Sequence, residues 1–434
     1  MGALFCGDLF SRHFYSHGNI VDLRFSGINP NDSYTMLNGL NNFDERNKRE
    51  IIDYPGDKFS SNISYYIGSA NLTTNVTIAV EKIQNQTCIN FKKVDNRSDL
   101  FNNTDGNALL FRYSDSCYAV FGKDGNKKKS FVNITNDCDS PYEIQLLLAS
   151  ALGVNYEHLR LDRNDYIKMQ WQNIDNETRY FFKNRGYENF SKSLNVSYNF
   201  GSGFHLGAYT YSKEGRRAFK LYDKKYYDTL GQKSLDFSDY KLLNNYYCND
   251  TCSEKLECQN SGYTDPKNCK KCRCPLFYEG TKCEKLRNSS ENCLTPKEIK
   301  LSDNNTFFRL GDEGNKTCYT RIEAPENKTV EIFLAAVTYN VDGERIYLRC
   351  RPKQSLQVKY YKDKGPMGAL FCGELYGHHF HSHSNIVDLR FSGINDDDAY
   401  TMLVRTSNKS YLTRKEKKKA KKKKEKKQKK TNKQ

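Results

Sequence analysis

Residues 143–163 read EIQLLLASALGVNYEHLRLDR. Ile144, Leu147, Leu148, Ala151 and Leu152 recur at intervals of three and four. That period gathers apolar side chains on one face and predicts a buried helix leading into Gly153. A polar set follows at Glu157, Arg160, Asp162 and Arg163. Taken alone, the stretch also suits an ordinary core helix of some unrelated fold, so its surroundings decide the reading.

Those surroundings are specific in combination. KFSSNISYYIG (58–68), QNQTCINF (84–91), DSCYAVFG (115–122), LASALGVNYEHLRLDRNDYIKMQWQNI (148–174), NFGSGFHLGAYTYS (199–212) and LNNYYC (243–248) follow one another in order. Together they resemble the catalytic domain of the astacin family, zinc endopeptidases of the metzincin group, over residues 50–248. The resemblance implies a two-lobed α+β domain. It also implies an H-E-x-x-H-x-x-G-x-x-H-E helix and a later S-x-M-H-Y turn. In such a site two histidines four apart bind zinc from one helix face. A third reaches it after a glycine break, and the glutamate takes the proton of the zinc-bound water.

Gly153 sets the register of that motif. The first ligand position is then Leu146, the general-base position Leu147, the second ligand Ser150 and the third Tyr156. In the later turn Phe204 stands at the methionine and Leu206 at the tyrosine. Leucine has no lone pair to offer a cation, serine is a poor ligand, and a free tyrosine titrates near 10. Zinc lowers the pKa of bound water from about 15.7 to about 7. Losing that shift removes on the order of 12 kcal/mol of nucleophile activation. No H-E-x-x-H occurs elsewhere, and His158 and His205 are the only histidines in the segment. The sequence therefore predicts no catalytic residues and no metal ligands at these positions, and no cofactor although the family's is zinc. Glu157 resembles the family's anchor for the mature N-terminus, or is a solvated surface glutamate.

Composition places the chain in the secretory class. Fifteen cysteines cluster with module-like spacing, which suits an oxidising compartment. Sequons are dense, among them those at Asn62, Asn71, Asn75, Asn85, Asn133, Asn176, Asn189, Asn195, Asn249, Asn315 and Asn327. Asn62, Asn71, Asn75, Asn133 and Asn195 are the glycosylation candidates. The first residues show no signal peptide, and no run approaches a membrane span. Of the net charge of +16, residues 414–434 contribute +12, leaving +4 for the rest. The basic character thus belongs to a tail, here assigned to 406–434 and expected to be disordered. It could attract an anionic glycan, and without interleaved aromatics it does not indicate specific nucleic-acid binding.

Residues 1–37 recur at 367–403, with 28 of 37 positions identical and no gap. This duplication reads residues 1–40 as a partial tandem unit or a gene-model join, which leaves Cys6 without an obvious partner. Residues 41–49 form a polar linker. Its Arg46-Asn47-Lys48-Arg49 reads equally as a processing site or a charged loop.

Residues 249–286 carry six cysteines and resemble an EGF-like module, although spacing alone permits fifteen pairings. A zinc site on CKKCRC is the rival reading. Residues 293–405 resemble a CUB domain, an antiparallel β-sandwich in which NIVDLRFSGI alternates like a strand and YTMLVR reads as the last one. By resemblance the disulfides would be Cys88–Cys248, Cys117–Cys138, Cys252–Cys269, Cys258–Cys272, Cys274–Cys283, Cys293–Cys318 and Cys350–Cys372. Within HHFHSH, His379, His381 and His383 would share one face of a strand. The repeat has histidine only at 13 and 17, with Tyr15 between them, so a surface strand is preferred to a ligand set. Some CUB domains bind calcium through acidic loops, and NDDDAY is acidic, yet it lacks recognisable partners.

The sequence thus reads as a secreted astacin-like homologue that has lost its zinc ligands and general base. It would act by binding an extracellular protein or peptide, through an edge strand that includes SCYAVFG. An active zinc endopeptidase with atypical ligands is the alternative, and a decayed copy without selected function is a third.

Overall fold

Five strands build the sheet of the first lobe, in the order Asn90–Lys93, Asn62–Ile67, Ala108–Tyr113, Ser130–Ile134, Tyr118–Ala119. The first four run parallel and Tyr118–Ala119 lies antiparallel at the edge. These elements belong to a computed structural model that describes residues 50–409, except 54–55, 102–105, 124–129, 184–190, 214 and 341–348. The repeat at 1–40 with Cys6, the linker at 41–49 and the lysine run at 414–434 lie outside the described residues.

The strand Ala108–Tyr113 reads ALLFRY and is buried over its first four residues, as a parallel strand covered on both faces must be. The helices Thr73–Gln86 and Pro141–Ala151 supply that cover. Val76, Ile83, Ile144 and Leu148 meet Ile63, Phe111 and Val132 in one core. The strand Glu50–Ile52 pairs with Ser191–Ser193, and Ile51 and Ile52 are buried, Ile51 bridging to Val154.

The second lobe, from Val154 to the helix Phe237–Tyr247, holds mostly short elements and many rings. Tyr198, Phe200, Tyr226 and Leu230 do not close a core of their own. They share one with Leu356, Tyr360, Leu370 and Phe371 of the C-terminal region. Polar ties reinforce the contact. The Tyr360 and Tyr361 hydroxyls both donate to Asp223 (2.6 and 2.9 Å), and Leu370 N–H donates to Thr229 (2.8 Å).

The C-terminal region is two packed sheets. One has the order Glu298–Lys300, Thr317–Glu323, Ile386–Ser392, Ser355–Lys359, Ala369–Phe371; the other Phe308–Glu313, Ala399–Ser407, Thr329–Thr338, Leu375–His381. Two expectations are corrected here. The pairing is not wholly antiparallel, because Glu298–Lys300 runs parallel to Thr317–Glu323. The tail does not begin at 406, because the last strand extends through Ser407. Between the lobes and the sandwich, residues 252–286 carry two short hairpins over Phe277, Tyr278 and Leu286. The strand Ile386–Ser392 is buried almost throughout rather than alternating with solvent. Its buried Asp388 accepts from Tyr278 (2.7 Å) and Arg321 (2.7 Å), which places the small segment over its outer face.

Seven disulfides join Cys88–Cys248, Cys117–Cys138, Cys252–Cys269, Cys258–Cys272, Cys274–Cys283, Cys293–Cys318 and Cys350–Cys372. The cysteines of CKKCRC are therefore committed to sulfur rather than metal. Among the described residues, no helix is long and apolar enough to cross a membrane.

Candidate functional site

The helix Pro141–Ala151 carries three of the six positions singled out in the sequence, Leu146, Leu147 and Ser150. Its start is fixed by Ser140, whose hydroxyl accepts from Glu143 N–H, with Pro141 in the first turn. Its end is a Schellman motif. Gly153 N–H donates to Ser150 O (2.8 Å) and Val154 N–H to Ala149 O (3.0 Å). Gly153 has φ +96°, and a Cβ there would lie 2.9 Å from Ile52 O, so both conformation and space demand glycine. The buried face differs from the expected one. Ile144, Gln145, Leu148, Ala149 and Ala151 are buried, whereas Leu147 is only partly so.

Leu146 and Leu147 pack as partly buried groups against the first lobe's core. Leu146 also lies against the turn 199–206: a Cβ on Gly203 would meet Leu146 Cδ2 at 2.7 Å. In that turn Phe204 is buried, and the Tyr156 ring meets it edge-on at 5.5 Å between centroids. Tyr156 is 38% exposed, and Ser150 is half-buried on the helix. Leu206 packs against the second lobe's core. At four of the positions singled out by the sequence resemblance, Leu146, Leu147, Ser150 and Tyr156, the structure thus offers two leucines, one hydroxyl and one phenol. This donor set does not fit zinc, which takes imidazole nitrogen, thiolate or carboxylate. Among the described residues, the convergent sets of His, Cys, Asp and Glu lie elsewhere: Cys293–Asp312–Cys318, whose cysteines are bridged, and Glu331–His379–His381.

The two histidines of the domain are structural. His205 donates from Nδ1 to Leu206 O (2.9 Å), so Nε2 accepts from the Tyr198 hydroxyl (2.7 Å). Burial lowers its pKa to about 4. His158 makes its contact with Phe181 O (3.1 Å), and burial, followed by the nearby His205, holds it well below the ordinary imidazole range. Both rings are therefore neutral at physiological pH.

Glu157 is fully buried, which overturns the surface alternative. Its Oε2 accepts from Asn199 N–H (3.3 Å) and Arg160 Nη1 (3.4 Å). Arg160, buried in turn, binds Asp162 through Nε and Nη2, each at 2.7 Å. The turn is tied to the helix Phe237–Tyr247 by Ser202, which donates to buried Asp239 (2.7 Å), and by Asn199, which donates to Asp236 (2.6 Å). Sequence reading missed this link. The signal was the Asp236–Asp239 spacing ahead of an apolar run, a capping box.

Other expected sites fare differently. Asn133 is wholly buried and accepts from Arg112 (2.8 Å), so its side chain cannot carry a glycan in this fold. Asn62, Asn71 and Asn195 are exposed, and Asn75 is half-buried with its amide on Asp139 O (2.9 Å). In NDDDAY, Asp398 is buried and accepts from Ile394 N–H (2.8 Å) and Asn395 N–H (3.0 Å), closing its own loop. His383 leaves the strand carrying His379 and His381, and its ring stacks on Tyr361 at 3.9 Å.

Comparison with known proteins adds a family context. The astacin peptidase family matches residues 52–248. The chain is similar to zinc metalloproteinase nas-34 of Caenorhabditis elegans, at 29% identity over 353 residues, covering 81% of this chain and 56% of that one. It is 32% identical over 213 residues to zinc metalloproteinase dpy-31 of the same organism, covering 49% and 35%. The chain therefore spans from about a third to just over half of these curated relatives. Among solved structures, high choriolytic enzyme 1, a hatching enzyme zinc-protease of the medaka Oryzias latipes, aligns with TM-score 0.36 and 24% identity, covering 43% and 88%.

Proposed function

We propose that this chain, whose residues 52–248 form an astacin-family peptidase domain, keeps the family's cleft without its metal chemistry and acts by binding rather than by hydrolysis. One observation carries the reading: Leu146 fills the first ligand position and packs against Gly203 of the facing turn. Moving that leucine aside would still leave the zinc without an imidazole. Leu147 cannot accept the proton that the family's glutamate takes, since it carries no basic atom.

A cleft without a metal retains its edge. Tyr118–Ala119 ends the five-stranded sheet and offers backbone groups on its outer side to an extended segment. Adding a strand there requires hydrogen bonds and side-chain pockets but no nucleophile. The occupant we infer is an extracellular peptide or protein segment. EGF-like and CUB character for 249–286 and 293–405, together with seven disulfides, supports an extracellular setting. Processing after Arg49 is part of the same proposal, supported by the strand Glu50–Ile52, in which Ile51 and Ile52 are buried.

The test is peptide hydrolysis by the full chain with added zinc, with and without a chelator. No chelator-sensitive cleavage is expected. Cleavage that disappears with the chelator and with Tyr156→Phe would instead establish an enzyme with an unorthodox ligand.

A further inference from the structure

The four-stranded sheet of the C-terminal sandwich brings two histidines that stand two residues apart, His379 and His381, together with Glu331 on another strand. Glu331 lies on the central strand Thr329–Thr338, directly across from His381 of the edge strand Leu375–His381. His379 is two residues back and on the same outward face, because side chains alternate along a strand. Glu331 Oε1 stands 2.7 Å from His379 Nε2 and 3.9 Å from His381 Nε2. The three donor atoms all lie within 4.8 Å of one another. In a tetrahedral zinc site with bonds near 2.1 Å, ligand atoms stand roughly 3.4 Å apart. The observed separations bracket that spacing, so small side-chain rotations would complete it.

We infer that Glu331, His379 and His381 form a surface site for one divalent transition-metal ion of the zinc class. Two imidazoles and one carboxylate match the borderline-soft preference of zinc, and three protein ligands leave a fourth position open. The ion would replace the proton that His379 Nε2 now shares with Glu331 Oε1. Access is compatible with exchange, since the His379 side chain is 50% exposed and that of His381 is 12% exposed.

The surroundings prepare the site. Arg405, on the strand at the other side of Glu331, binds Oε2 at 2.7 Å and leaves Oε1 turned to the histidines. A ligand carboxylate held from behind in this way has its orientation fixed before the metal arrives. Arg405 also keeps the Glu331 carboxyl below its ordinary range, and burial keeps His381 below its own. The positive charges of Arg405 and Lys409 oppose a dication, which argues for a softer, nitrogen-seeking ion over calcium. The repeat carries tyrosine where His381 stands, so the ligand pair belongs to the C-terminal copy alone.

The test is titration of the metal-stripped, tag-free full chain with Co²⁺, read by its visible absorption, followed by displacement with Zn²⁺. One equivalent is expected. His379→Ala and His381→Ala should each weaken binding on the order of tenfold or more, and the double substitution should abolish it. His383→Ala and Tyr156→Phe should leave it unchanged. Circular dichroism of the metal-free variants reports folding, and if an alanine variant unfolds, His379→Gln serves instead. Absence of the visible band in the wild type, or a band that survives the double substitution, would overturn the assignment.

Discussion

At the scale of single residues, Gly153 and His205 show two different ways in which a position is fixed. Gly153 is fixed by backbone conformation and by the closeness of Ile52 O. Gly153→Ala should destabilise by about 1–2 kcal/mol from the left-handed conformation alone, and by more from the contact. A urea-unfolding midpoint would measure it. His205 is fixed by burial. Its folded pKa of about 4 lies below the unfolded value near 6.5, so the unfolded state binds more protons between them. Stability should therefore be at its plateau above pH 6.5 and fall on acidification towards pH 4, by on the order of 3 kcal/mol for this group. A pH series of unfolding midpoints should show that slope, and His205→Gln should flatten it. Residues of this kind were unevenly legible. Gly153 could be placed from the motif register because glycine is the one residue suited to that turn. Glu157 could not, because nothing local in the sequence reveals that Arg160 and Asn199 enclose it.

At the scale of elements, the sequence pattern located helices and strands but not always their covered faces. The period of three and four in 143–152 correctly called for a buried helix. It assigned Leu147 to the core and missed Gln145, whose amide donates to Tyr240 at 2.6 Å. In the strand Ile386–Ser392, alternation of apolar and charged residues suggested one wet face. The small disulfide-rich segment covers that face and turns Asp388 into a buried acceptor. Local pattern records which residues could be wet, while tertiary contact decides which are. The turn 199–206 depends on the same kind of contact. Ser202→Ala removes a donor from fully buried Asp239 and should cost about 1–3 kcal/mol. Hydrogen exchange should then show earlier opening at the start of the helix Phe237–Tyr247.

At the scale of the whole molecule, the second lobe and the sandwich share one core, which the division at residue 248 did not foresee. The sequence could mark the module boundary by its cysteines, but it held no sign that Met367 packs on Gly201 or that Tyr360 and Tyr361 reach Asp223. A fragment ending at Cys248 would expose Tyr226 and Leu230 to water. It should unfold at a lower temperature than residues 50–409 and aggregate as it does, in a thermal scan of both. The two places where a metal could be sought are thus chemically opposite: the leucines, hydroxyl and phenol of Leu146, Leu147, Ser150 and Tyr156, and a sheet face bearing two imidazoles and a carboxylate. Anomalous diffraction at the zinc edge, from crystals of the full chain grown with zinc, separates them in one measurement. Density is expected between Glu331, His379 and His381 and none within bonding distance of Ser150 or Tyr156, whereas an ion held by Ser150 or Tyr156 would contradict the binding role proposed for the peptidase-like domain.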